Sequence, residues 1–229
     1  MTEKPHQSEK SPEREAGCME RLVALSVVLL ISGLAYALFL IFSPQHMKDI
    51  AVSDQPARDL KTVFKKSIEG SYELTISEEE INAYIAQTLA MQQKGLCEKF
   101  ASLEKVLVRL EKDRAEVTMV RKVAGLDLTI SMWCKVSQTE NERGEIQTHV
   151  DFDGGPLSFA PGIARGGRFG KLVVPQGFLL LVRSSFEALA AQYPEELRLG
   201  FEEMVRIRME DGALVLDPRH QPSSSTLGF

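Results

Sequence analysis

Residues Leu22 to Phe42, LVALSVVLLISGLAYALFLIF, contain no charged side chain. As a helix rising 1.5 Å per residue, such a run spans about 30 Å, the thickness of a bilayer's hydrocarbon core. Lipid offers a backbone no hydrogen bonds, so a segment placed there must satisfy its own and be helical. The run also exceeds the ~7–15-residue apolar region of a cleaved signal peptide. Its one A-x-A match, Ala35-Tyr36-Ala37, lies inside the run and is followed by LFLIF. The expectation is an uncleaved transmembrane signal anchor over 21–42.

That anchor orders the rest of the chain. Residues 1–20 are polar and lack aromatics, the composition of a disordered tail. Arg21 at the edge of a short tail favours tail inside and domain outside, in a cytoplasmic (inner) membrane, by the positive-inside rule. Residues 43–56, with Pro44 and Pro56, read as a juxtamembrane linker, 57–217 as one extracytoplasmic domain and 218–229 as a loose tail. A net charge of −5 argues against nucleic acid as a partner, because duplex binding rests on neutralising phosphates. Three cysteines are too few for a disulfide scaffold. Cys18 beside the anchor is a candidate for S-palmitoylation or an ordinary thiol. Cys97 and Cys134 could pair if their Cα atoms come within bridging range.

Within the domain, the spacing predicts a short helix over 57–67, with Leu60, Val63 and Phe64 on one face. Ser71–Ile76 alternates as a strand, with Tyr72, Leu74 and Ile76 together. Ser77 and Glu80 form a capping box ahead of a helix whose stripe is Ile81, Tyr84, Ile85, Thr88 and Leu89. From Phe100 to Phe152 the period changes to two. Strands are expected at Leu103–Leu110, Arg114–Lys122, Leu126–Val136 and Glu145–Asp153, joined by short polar connections as an antiparallel meander. Gly154–Gly170 reads as irregular, 171–175 as a short strand, and 176–193 as a second main helix using Leu180, Leu181, Ser184, Leu189 and Tyr193. Val205–Met209 and Ala213–Leu216 close the domain as a hairpin through Asp211-Gly212. The fold class is therefore α+β: an N-terminal transmembrane helix, then a curved antiparallel sheet packed against two main helices.

No catalytic signature emerges. GGRFGK at 166–171 fails as a P-loop, since Arg165 and Leu172 stand where a glycine and a hydroxyl are needed. The four histidines are scattered without metal-ligand spacing, so no metal site or cofactor is expected. Asp151 and Asp153 share a strand face; a solvated face is the bland reading and an acid–base pair the sharp one. Ser184-Ser185 lies in a helix, away from any G-x-S-x-G elbow. Two stretches, LEKVLVRL and LTISMWCKV, are apolar on both faces, so something must cover them: helices, lipid or a partner. A groove between sheet and helices would then hold a ligand. Its expected apolar contacts are Trp133, Phe159, Ile163 and Phe169, and its headgroup contacts are Arg165 and Arg168.

Three segments, ISEEEINAYI at 76–85, GKLVVP at 170–175 and VRIRMEDGALVL at 205–216, together resemble the YpmS-like family of single-pass envelope proteins. The match includes Asn82 in the helix start, and the segments follow in order across the domain. The resemblance implies an extracytoplasmic α+β domain with no established enzyme activity. A more distant similarity to tubular lipid-binding proteins is analogy at the level of fold. The reading is a membrane-anchored binding module for lipid or an envelope component. The alternative is a structural or assembly protein docking another membrane protein, and last comes a hydrolase using Asp151 and Asp153.

Overall fold

The computed structural model describes residues 17–47, 50, 56–92, 102–123, 125–142 and 146–219. The chain divides into two compact units, Met1–Phe39 and Leu40–Phe229. The first holds most of helix α1, Cys18–Ile41, which includes a 23-residue stretch, Met19–Ile41, long and apolar enough to cross a membrane. Its leucines and valines are exposed, as a lipid-facing surface requires. The expected tail over 1–20 stops short of that bound, since α1 already begins at Cys18, three residues before the expected anchor; residues 1–16, 93–100 with Cys97, and 220–229 lie outside the described residues.

The second unit is α+β with two antiparallel sheets. Helix α2 (Leu60–Gly70) starts three residues later than its apolar spacing suggests. Asp59 supplies the reason: its carboxylate accepts from Lys61 N at 3.2 Å and from Thr62 Oγ1 at 2.6 Å, an N-cap that fixes the first turn. Strand β1 (Leu74–Ser77) leads directly into α3 (Glu78–Gln92). The Ser77 capping box forms in both directions, with Glu80 N on Ser77 Oγ at 3.2 Å and Ser77 N on Glu80 Oε2 at 3.1 Å. Tyr72 falls before the strand and is exposed, not on the face of Leu74 and Ile76.

Strands β2 (Ser102–Glu111), β3 (Arg114–Val123), β4 (Leu126–Glu140) and β5 (Ile146–Asp151) form the expected meander, each antiparallel to the next. β4 is the longest strand and changes partner along its length. Its first part pairs β3 through Cys134, and its second part pairs β5 from Lys135 onward.

Gly154–Gly170, expected to be irregular, forms β6 (Pro156–Leu157) and the ten-residue β7 (Ala160–Phe169). β7 pairs β4 and, beyond a tight turn, β8 (Leu172–Pro175). Two glycines conceal this strand from a hydrophobic-period reading, because the sheet needs them bare. A Cβ on Gly166 would lie 2.6 Å from the Gln176 Cα, and one on Gly167 2.0 Å from the Ser131 carbonyl.

The expected helix over 176–193 is broken. Gln176–Leu181 is a 3-10 turn and α4 covers Arg183–Ala190, with Val182 between them at φ −121°, ψ −2°. Leu180 and Leu181 therefore do not pack inward, and each is 74% exposed. α5 (Pro194–Leu197) continues into a π turn, Arg198–Glu202. β9 (Arg206–Glu210) and β10 (Ala213–Asp217) form the closing hairpin, and β10 pairs β1 to make a separate three-stranded sheet.

Polar ties join the two sheets. Gly212 N donates to Leu110 O at 3.0 Å, and Lys112 N to Asp211 Oδ1 at 2.9 Å. Gln138 of β4 accepts from Ile207 N at 2.8 Å and donates to Met204 O at 3.2 Å. The free edge of β2 is closed by side chains from α3. Asn82 donates to Val108 O at 2.8 Å and accepts from Val108 N at 2.7 Å, while Glu78 accepts from Leu110 N at 2.7 Å. Spaced i, i+4 on the helix, Glu78 and Asn82 meet alternate residues of the strand, where a further strand would otherwise pair. Both are buried. Asn82→Ala leaves a buried N–H and C=O without partners. Its expected cost is about 2–4 kcal/mol, measured as a lower urea midpoint at unchanged slope.

Candidate functional site

Strand alternation gives the large sheet two chemically different faces. Val106, Val108 and Leu110 of β2 register with Met119, Val117 and Ala115 of β3, and these with Ile130, Met132 and Cys134 of β4. This inner face turns toward α3, α4 and the small sheet. Its buried residues fall into two clusters. One gathers Leu60, Phe64, Leu74, Ile76, Leu110, Leu214 and Leu216. The other gathers Leu89, Val106, Met119, Ile130, Leu179, Phe186 and Leu189.

Residues of both clusters border a cavity of about 950 Å³. Its walls are the inner sheet face, Ile81, Tyr84 and Ile85 of α3, Phe186 and Leu189 of α4, and Phe64, Met209 and Leu214. Domain interiors normally pack to crystal density with voids scarcely larger than a water. At ~24 cal/mol per Å³, a sealed void of this size would cost about 20 kcal/mol, more than the ~5–15 kcal/mol stability of a whole domain. The space is therefore open to solvent or to a ligand. Val150 of β5 and Phe152 just beyond that strand line the cavity and are themselves exposed.

One part of the wall is polar. Tyr84 Oη donates to Glu196 Oε1 at 2.6 Å, Lys61 Nζ lies 3.6 Å from the same oxygen, and the Thr88 and Tyr193 hydroxyls are 3.1 Å apart. Burial, then the Glu196 bond, raises the Tyr84 phenol above its usual range. Burial likewise raises Tyr193. The cavity thus offers long apolar walls and a patch of hydroxyl and carboxylate groups. Among the described residues no group of three His, Cys, Asp or Glu could hold a metal.

The residues singled out as ligand contacts do not form one site. Phe169 registers with Ile130 and packs with the second cluster on the inner face. Phe159, 79% exposed, and Ile163, 48% exposed, lie at the β6–β7 hairpin, apart from the cavity. Trp133, Arg165 and Arg168 do come together, but on the outer face. Trp133 is 1% exposed, and the guanidinium carbons of Arg165 and Arg168 lie 4.9 and 4.8 Å from its ring centroid. Gly154 fits against the indole, where a Cβ would come within 2.5 Å. Glu116, opposite Trp133 in register, accepts from Ser131 Oγ at 2.6 Å and lies 3.3 Å from Arg168 Nε.

Asp151 and Asp153 do not make an acid–base pair. β5 ends at Asp151, which accepts from Ser137 Oγ at 3.3 Å, while Asp153 caps the turn by accepting from Gly155 N at 2.7 Å. The cavity residues were missed as a site because each reads as ordinary core; the signal was the double-faced apolarity of β2 and β4. Family models, curated proteins and solved structures give no match to the chain.

Cys134 carries a free thiol on the cavity wall, and burial pushes its pKa up to about 11. At pH 8 its thiolate fraction is then ~0.1%, so alkylation of Cys134 should run about a hundredfold slower than that of a small free thiol. Mass-spectrometric mapping of iodoacetamide modification in the full chain measures this. Modification at the rate of free cysteine would show the site to be wet and open.

Proposed function

We infer that this chain is a membrane-anchored, non-catalytic binding protein whose domain holds one amphiphile, a lipid or a related envelope component, in the cavity between its two sheets. One observation carries the reading: about 950 Å³ of apolar-walled space stands where a domain of this kind has packed core. Water can fill it only by wetting side chains of both clusters, at ~25 cal/mol per Å² of apolar surface. An acyl or polyprenyl chain removes that cost. The Tyr84, Tyr193 and Glu196 groups then take the polar end of the ligand.

The long N-terminal apolar helix supports tethering to a membrane. Arg21 supports a cytoplasmic N-terminus, which puts the domain on the outer side of the inner membrane. The resemblance to the YpmS-like proteins fits the same reading, as an anchored extracytoplasmic domain without catalysis. A second reading, docking of another membrane protein, is favoured by the exposed Phe178, Leu180 and Leu181 of the 3-10 turn. In-cell crosslinking from that turn distinguishes it by a stable protein neighbour.

The cavity reading is tested with the full chain in a neutral detergent and a fluorescent long-chain probe. Uptake should saturate at one site. Val108→Phe and Val136→Phe, which project bulk into the cavity, should weaken it at least tenfold while circular dichroism stays unchanged. Non-saturable uptake, or full affinity in both variants, contradicts the reading.

A further inference from the structure

The outer face of the large sheet carries a second constellation, independent of the cavity. The geometry points to a phosphate-binding site there, formed by the guanidinium groups of Arg165 and Arg168 over Trp133, with Arg114 beside them.

The first support is charge. Arg114 NH1 and Arg165 NH2 come within 2.8 and 3.4 Å of one point beside Gly155, which places them no more than about 6 Å apart. Arg114 donates to Gly154 O at 2.5 Å and has Glu111 at 3.8 Å, and Arg168 has the buried Glu116. Arg165 forms no ion pair among the described residues, although it is only partly exposed, has Arg114 close by and shares the Trp133 ring with Arg168. A cation in that position lacks a counter-charge.

The second support is unfilled hydrogen-bonding capacity. Trp133 Nε1, Arg165 Nε and Arg168 Nε are buried and have no hydrogen-bond partner; the Glu116 carboxylate lies near Arg168 Nε but out of line with its N–H. Buried donors are rarely left without acceptors, and here the indole N–H and the two guanidinium Nε–H groups beside its ring all lack one. A tetrahedral oxyanion offers several acceptors and meets a guanidinium fork two N–H groups at a time, which is the chemistry these donors lack.

The third support is location. Gln45 N lies 3.3 Å from Thr129 Oγ1, and Gln45 Nε2 3.3 Å from Ser131 Oγ. Ser131 is the register partner of Arg168. Three residues of chain reach at most ~11 Å, so this part of the outer face stands close to Phe42, the last residue of the apolar run. The same phosphate chemistry is offered by a phospholipid headgroup and by free phosphate in solution.

Trp133 is the chain's single tryptophan, so with a tryptophan-free scaffold protein in the nanodiscs its emission reads this site alone. The experiment uses the full chain in two settings. In neutral detergent it is titrated with inorganic phosphate against potassium chloride at matched ionic strength. In nanodiscs, phosphatidylcholine discs are compared with discs containing phosphatidylglycerol. A saturable change in Trp133 emission with phosphate assigns a soluble phosphate ligand. A change confined to phosphatidylglycerol discs assigns a membrane headgroup. Either response should weaken at least tenfold in Arg165→Gln and persist in part in Arg165→Lys. Should Arg165→Gln fail to fold, Arg168→Gln and Arg165→Lys decide by the same readout. No saturable response in either setting, or an unaltered response in folded Gln variants, overturns the site. Probe uptake by the cavity is unaffected by this outcome, so the two proposals stand or fall separately.

Discussion

The apolar space between the two sheets is the constraint around which the Leu40–Phe229 unit is arranged. Hydrophobic side chains enclose space most stably by closing on themselves, and here they do not. What holds the walls apart is polar and directional. Gln138 fixes β4 to the approach of β9, the Asp211-Gly212 turn bonds to the end of β2, and Glu78 and Asn82 clamp α3 along the β2 edge. The Gln138, Glu78 and Asn82 ties are buried or half-buried, so they do not exchange freely with water, while the Asp211 tie lies at the surface. A collapse that brought Phe64 toward Phe186 would break several of them together. The cooperative cost of that loss keeps the two clusters separate.

β4 joins the two candidate sites. Its even-numbered residues, Ile130, Met132 and Cys134, face the inner clusters, and its odd-numbered residues, Thr129, Ser131 and Trp133, face a buried polar layer with Glu116 and Gln45. A sheet apolar on both sides would demand a second hydrophobic cover. This one instead meets Gln45 of its own chain through hydroxyls and an amide. The sheet is buried on two faces, and the outer one mixes Glu116, Thr118, Thr129 and Ser131 with the buried apolar side chains Leu107, Val120 and Trp133.

Much of the architecture was legible in the residues, and the failures have identifiable causes. Period-two alternation located the four meander strands; β2, β3 and β4 each have one face in a hydrophobic cluster, and β5 alternates without a buried residue. The Ser77–Glu80 box located α3, because capping is local chemistry. β7 was illegible because Gly166 and Gly167 serve backbone approach to Ser131 and Gln176, and a bare position carries no hydrophobic signal. The helix over 176–193 was over-read because helical spacing does not register the break at Val182. Of the candidate contacts, Trp133, Arg165 and Arg168 meet because β4 and β7 are neighbours, a pairing no local pattern reveals. Phe159 and Ile163 remain on a hairpin. The cavity itself was legible only as a surplus of apolar faces, since a lining side chain and a core side chain are chemically the same.

The central claim is that the space between the sheets is filled by something other than the chain. Native mass spectrometry of the full-length protein, released directly from its own membranes, tests it most directly. The account predicts one added mass of lipid size that survives collision energies sufficient to strip detergent. A spectrum containing only the bare polypeptide, reproduced under the gentlest release, would contradict it.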